Sequence, residues 1–191
     1  MTLKPSRKDA ETAVKTLLSW IGEDPNREGL IDTPRRFVDA FSEFYSGYSV
    51  EPEKILEKTF SDVENYQDIV LVKDIRLESH CEHHMAPMLG FAHVAYIPDG
   101  DVVGLSKIAR VVEAYGKRLQ TQERMTSQIA EALNSKLAPA GVAVVIKAKH
   151  HCMTMRGVHK PLSWTVTSKW LGCFAEKEWQ DRFYSMLSIK D

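Results

Sequence analysis

Cysteine is scarce in this chain, with three in 191 residues and no C-x-x-C pair among them. That excludes a disulfide framework and the commonest closed zinc modules. An excess of one charge is also missing. Lys and Arg number 25 against 26 for Asp and Glu, so no broad field draws nucleic acid or an anionic membrane, and any anion site must be local. Long hydrophobic runs are absent: "GVAVVI" is far short of a membrane span, and the opening "MTLKPSRKD" has no signal-peptide core. These absences predict a cytoplasmic protein with no nucleic-acid and no membrane partner. Nothing reads as a linker rich in Pro, Gly or Ser, as a low-complexity tract or as a solenoid repeat.

What is present is order. Val14, Leu17, Leu18 and Ile21 repeat at helical spacing, and Phe37, Val38, Phe41, Phe44 and Tyr45 do so again after the cap-like pair Thr33 and Pro34, with Gly47 placed to end that helix. "PEKILEKTF" predicts a short third helix. From "DIVLVKDIRLE" the β-branched content rises, and "GFAHVAYIP" ends at the turn signal Asp99-Gly100, which predicts two strands. Ile108, Val111, Val112 and Tyr115 then mark a helix from near Ser106, and Met125, Ile129, Leu133 and Leu137 mark another. "GVAVVIKAKHHC" and "SWTVTSKWLGCF" predict two more strands before a closing helix through Trp179, Phe183, Met186 and Leu187. The expectation is an α+β chain: an N-terminal helical region over 1–60, then a β-β-α-α-β-β core with a C-terminal helix over 61–191, working as one unit.

Against that scarcity of cysteine, "SHCEHH" crowds His80, Cys81, His83 and His84 together, and "KHHC" repeats the mixture at 149–152. Zinc favours thiolate and imidazole ligands, and a catalytic site takes three from protein while leaving a fourth position to water. Cys81, His84 and Cys152 fit that count, with Cys152 delivered by folding. The competing reading makes both cysteines packing residues and the histidines a solvated loop. A closed structural site would need a fourth ligand, and few candidates exist. Cys173, with no histidine near it, reads as a core thiol. His83 and His150, each within two residues of a ligand, suit proton transfer because neutral imidazole titrates in the right range.

Two helix starts are polar. "VVGLSKIAR" brings Ser106, Lys107 and Arg110 to one, either an ordinary solvated start or an anion site built on free N–H groups, and Arg156 can aim at the same anion. "LQTQERM" puts Gln122 and Glu123 at the other, where helix capping and nucleobase recognition both remain open.

With these residues in view, the chain resembles GTP cyclohydrolase of type I in "IGEDPNREGLIDTPRR", "CEHH", "HVAYIP", "VVGLSKIARVVE", "RLQTQERMT" and "CMTMRGV", from about residue 9 onward. The resemblance implies a tunnelling fold whose subunit sheets join into a barrel, in a homo-oligomer that is a decamer with active sites at subunit contacts. It implies conversion of GTP and water to 7,8-dihydroneopterin triphosphate and formate, the entry step to folates and other pterins, with zinc on Cys81, His84 and Cys152 and proton transfer by His83 and His150. It also implies that Gln122 and Glu123 hold the purine, while Ser106, Lys107, Arg110 and Arg156 hold the ribose and triphosphate. Asp39, where the family often has a basic residue, His151 and Trp170 depart from its pattern. Another pterin or purine enzyme of the same fold, or a silent zinc-stabilised assembly protein, are the alternatives.

Strand alternation separates the neighbours in "KHHC". Val142, Val144, Ile146, Ala148, His150 and Cys152 should share one buried face, and Ala143, Val145, Lys147, Lys149 and His151 the face nearer solvent. His150 then points toward the metal and His151 away.

Overall fold

Ser6 opens the first helix because its hydroxyl accepts from the Asp9 N–H while the Asp9 carboxylate accepts from the Ser6 N–H, a reciprocal capping box. The helix, α1, runs Arg7–Trp20 in the computed structural model, which describes residues 4–60 and 66–189. Asp32, rather than the expected Thr33, occupies the N-cap of α2 (Thr33–Phe44), where Pro34 fills an early position needing no N–H partner. α2 stops at Phe44, before Gly47. Phe37 and Phe41 meet as tilted rings at 4.2 Å and Phe41 meets the C-cap Tyr45 edge to face at 5.0 Å, as side chains four apart on a helix can. Internal contacts divide the chain after Ser46, so the stretch from Gly47 to Phe60 belongs with the larger unit. No helix among the described residues is long and apolar enough to cross a membrane.

The larger unit continues with α3 (Pro52–Ile55), β1 (Thr59–Phe60), β2 (Val70–Cys81), β3 (Pro87–Ile97), β4 (Val102–Val103), α4 (Leu105–Gly116), β5 (Leu119–Gln120) and α5 (Gln122–Leu137). β6 (Gly141–His150), α6 (His151–Thr154), β7 (Thr165–Gly172) and α7 (Lys177–Leu187) complete it. The expected third helix is therefore only its first half, and its end becomes β1, which pairs with β4 in a small ribbon. The main sheet has the order β5-β2-β3-β6-β7, antiparallel except for the short parallel pairing of β5 with β2.

Alternation along β6 builds two cores. Val142, Val144, Ile146 and Ala148 pack with Leu77, Ala92 and Val94 beneath Ile108, Val111 and Val112 of α4 and Met125, Ile129 and Leu133 of α5. Ala143 and Val145, expected nearer solvent, are buried on the other face under Phe174 and Phe183, with Trp170, Trp179 and Met186 around them. That face is buried because α7 folds back over half of it; Lys147, beyond the cover, is exposed. Trp170 thus finds its use in an aromatic cluster, 5.4 Å from Phe183 and 5.8 Å from Tyr184.

Gly90 lies between Leu77 and Ala148 in the sheet, and a Cβ there would come within 2.0 Å of the Lys147 carbonyl oxygen and 2.6 Å of the Ala148 Cα. Backbone cannot yield as a flexible side chain can. Gly90→Ala should therefore cost about 1–3 kcal/mol or more. Each kcal/mol corresponds to roughly 2–4 °C in Tm for a chain of this size, and a thermal scan by circular dichroism measures the shift.

Candidate active site

Cys81 is the last residue of β2, and the chain turns sharply after it. The Cys81 N–H donates to Ala86 O at 2.8 Å, the Met85 N–H donates to Cys81 O at 2.8 Å, and Met85 takes a left-handed φ of 53° to close the turn. His83 and His84 ride on this exposed turn, whereas the Cys81 side chain is buried. Cys152 arrives differently from the expectation. β6 ends at His150, and His151–Thr154 form one helical turn, so a helical bend and not strand alternation delivers the Cys152 thiol. The ligand atoms of Cys81, His84 and Cys152 lie within 4.8 Å of one another. Two thiols and an imidazole at that spacing match the donor chemistry of a zinc or similar soft divalent ion. Burial first, and the adjacent Cys81 second, push the Cys152 thiol up from its ordinary value.

His150 stays on the buried face of β6, where its Nε2 meets Gln122 Oε1 at 2.8 Å. Gln122 is 1% exposed, and its Nε2 donates to Ile146 O, Thr165 O and Thr167 Oγ1 at 3.1, 3.2 and 3.1 Å. Those bonds use the amide's donors, so its oxygen is an acceptor. His150 Nε2 must then carry the hydrogen, leaving Nδ1 as the lone-pair nitrogen of the neutral ring. Burial lowers the His150 pKa, and the nearby Glu123 carboxylate opposes that shift. His151 points elsewhere, with Nδ1 3.0 Å from Pro87 O.

The remaining expected residues divide. Arg156 stands beside the cluster, its guanidinium Nη1 donating to His84 Nε2 at 3.3 Å. Glu123 is exposed at the start of α5, whereas the side chain of Gln122 next to it is engaged with strand carbonyls and His150. Ser106, Lys107 and Arg110 begin α4, with Lys107 Nζ donating to Lys58 O at 2.6 Å. The far end of that helix, Gly116, packs on Leu77 and Glu78 of β2 near the cysteine end. Ten residues of helix, about 15 Å, separate Ser106 from Gly116, whereas Arg110, midway along, lines a cavity together with Leu77 and Glu78. Asp39 is taken up by Arg7 and Arg35 at 2.6 and 3.4 Å. Glu82 and Arg124, which form an ion pair beside the cluster, carried no sequence signal beyond the density of polar residues in "LQTQERM".

The profile of the family described as GTP cyclohydrolase I matches residues 10–188. The chain belongs to the GTP cyclohydrolase I family. Proteins named GTP cyclohydrolase 1 from Maricaulis maris (strain MCS10) and Pelagibacter ubique (strain HTCC1062) are 57% and 58% identical to it over 185 and 188 residues. These alignments cover 96% and 98% of this chain and 90% and 93% of the relatives. A relative of the same name from Brucella canis is 55% identical, covering 96% of this chain and 87% of its own. Among solved structures, the archaeosine synthase QueF-Like in the apo form superposes with a TM-score of 0.45 at 21% identity, covering 55% of this chain and 93% of that one.

Nitrogen-15 spectra of histidine-labelled protein should show His150 as the Nε2–H tautomer, and Gln122→Leu should abolish that preference while His151 is unchanged.

Proposed function

We propose that this chain converts GTP and water to 7,8-dihydroneopterin triphosphate and formate, using zinc held by Cys81, His84 and Cys152. The observation that carries the reading is the convergence of three ligand atoms from remote positions to within 4.8 Å in a member of this family. When bound, zinc supplies Lewis acidity that brings the pKa of a water it holds toward 7. The chain's own residues do the rest. Glu123, exposed at the first turn of α5, accepts paired N–H groups from the guanine edge. His150, with Nε2–H fixed on Gln122, offers Nδ1 to take a proton as water adds at C8, and His83, on the exposed turn, returns one to the departing ring nitrogen as the imidazole ring opens to a formamide. A second water at the same carbon breaks the other C8–N bond and releases formate, and closure of the new ring on the ribose carbons gives one water back. Gln122 serves the purine by orienting His150 rather than by touching the base. Arg156 provides cationic charge for the triphosphate beside the metal.

Ser106, Lys107 and Arg110 hold the ribose and triphosphate, Ser106 and Lys107 from a neighbouring copy, because about 15 Å of helix lies between Ser106 and the end of α4 nearest the same chain's cluster. Open sheet edges support such an assembly. Among the described residues, β7 pairs with β6 alone, and β2 before His80 pairs with β3 alone. Copies joined edge to edge give the barrel of a tunnelling fold and, closed and doubled, a homodecamer. Three free cysteines suit a reducing cytoplasm.

Incubating the purified protein with GTP and detecting formate and a fluorescent oxidised pterin tests the reading; absence of both with metal bound would refute it. Cys152→Ala should stay folded but hold little zinc and open no ring, checked by metal content. Guanosine should be used far less well than GTP, and Arg156→Ala should raise the GTP requirement with zinc retained. His150→Ala should keep zinc yet lose turnover by about 100-fold, with His151→Ala near wild type, measured by single-turnover formate release.

A further inference from the structure

His84, a proposed ligand, meets only exposed neighbours, the Arg156 guanidinium at 3.3 Å and the His83 ring at 6.4 Å, among the contacts described. It sits exposed on a turn whose backbone is held at Cys81 by pairing with Gln120, and at Glu82 by an N–H donated to Gln120 O at 3.0 Å. The side chain of Glu82 adds the next grip. Its Oε2 accepts from Arg124 Nη2, and its Oε1 lies 4.0 Å from His83 Nε2. Arg124 is in turn held, its Nε donating to Gln120 Oε1 at 3.3 Å. Gln120 is 2% exposed and donates through Nε2 to Tyr115 O at 3.1 Å and Gln128 Oε1 at 2.9 Å. The guanidinium is therefore a planar fork with one arm on a buried, anchored amide and the other on the metal turn.

Two residues earlier on the same helical turn, Gln122 holds His150, which directly precedes the segment carrying Cys152. One turn of α5 thus reaches both halves of the cluster. We infer that Arg124 and Glu82 are positioning residues for the metal centre: their ion pair sets the Cys81–His84 turn at the distance from Cys152 that a shared ion requires. The inference rests on the proposed metal role of that cluster.

Magnitudes give it a distinguishing signature. An ion pair this exposed contributes only about 0–1 kcal/mol to folding. Partners that orient metal ligands commonly change metal affinity or activity by roughly 10–100-fold. A purely structural pair would move neither property much, whereas a positioning pair moves metal affinity and leaves the fold alone.

The test uses the full chain, stripped of metal and titrated with Zn2+ against a chromophoric chelator, alongside the melting temperature of the metal-free protein. Arg124→Ala and Glu82→Gln should each weaken Zn2+ binding by about 10–100-fold with metal-free melting almost unchanged. The double variant should bind about as well as the weaker single one, because both changes remove the same interaction. Arg124→Lys, which keeps a cation for Glu82, should recover part of the loss. Glu82→Gln preserves size and shape, so it decides the matter should Arg124→Ala fail to fold. Zn2+ affinities within threefold of wild type for the singles, or losses that simply add, overturn the inference. A wild-type chain that binds no Zn2+ refutes instead the metal reading on which it rests.

Discussion

The antiparallel register of β2, β3 and β6 is the constraint on which the site depends. Met88 pairs with Ser79 on one side and with His150 on the other, so the ends of β2 and β6 come level across a single intervening strand. Both chains turn just beyond that row, one into the Cys81–His84 turn and the other into the helical turn of Cys152. A slip of one residue would send every side chain of β6 to the opposite face, exchanging His150 with Lys149 and moving Val144 and Ile146 out from under α4 and α5. The apolar burial of those residues is therefore also what holds Cys81, His84 and Cys152 in step.

On top of this register sits a buried polar hub. Gln122 ties β6, β7 and His150 together from the first turn of α5, and Thr126 on the next turn shares a 2.7 Å hydrogen bond with Thr167 of β7. Buried amides and hydroxyls are costly when unpaired, so this network tolerates few alternative arrangements and specifies one orientation of the imidazole. The side chain of Gln122, polar and placed at a helix start, thus meets strand carbonyls and His150. Glu123, one step along the helix, is exposed instead.

Irregularities mark where regular patterns yield. β2 bulges between Val72 and Ile75, where Asp74 takes a φ of 57° and donates its N–H to His93 Nδ1 at 3.1 Å. Bulges bend the strand and increase its twist locally. The half of the sheet face left open by α7 carries Lys147 and Lys149, both 4.9 Å from the Trp164 ring, which covers part of the exposed apolar surface with charge.

Much of this was legible in residue order. Periodicities of 3.6 and 2 are local properties of the chain, so the helices around Val14, Phe41, Val111 and Ile129 and the long strands could be read without knowing their neighbours. The clustering of Cys, His and Glu at 81–84 and 150–152 was likewise visible, because such residues seldom crowd by accident. Which atoms meet was not. Whether Cys152 follows the strand or leaves it depends on where β6 runs out of partners on β3. Whether Val145 is buried depends on α7 folding back from 40 residues downstream, and whether Gln122 faces a ligand or the core depends on carbonyls at 146 and 165. Those are relations between segments distant in sequence, and only packing in three dimensions decides them.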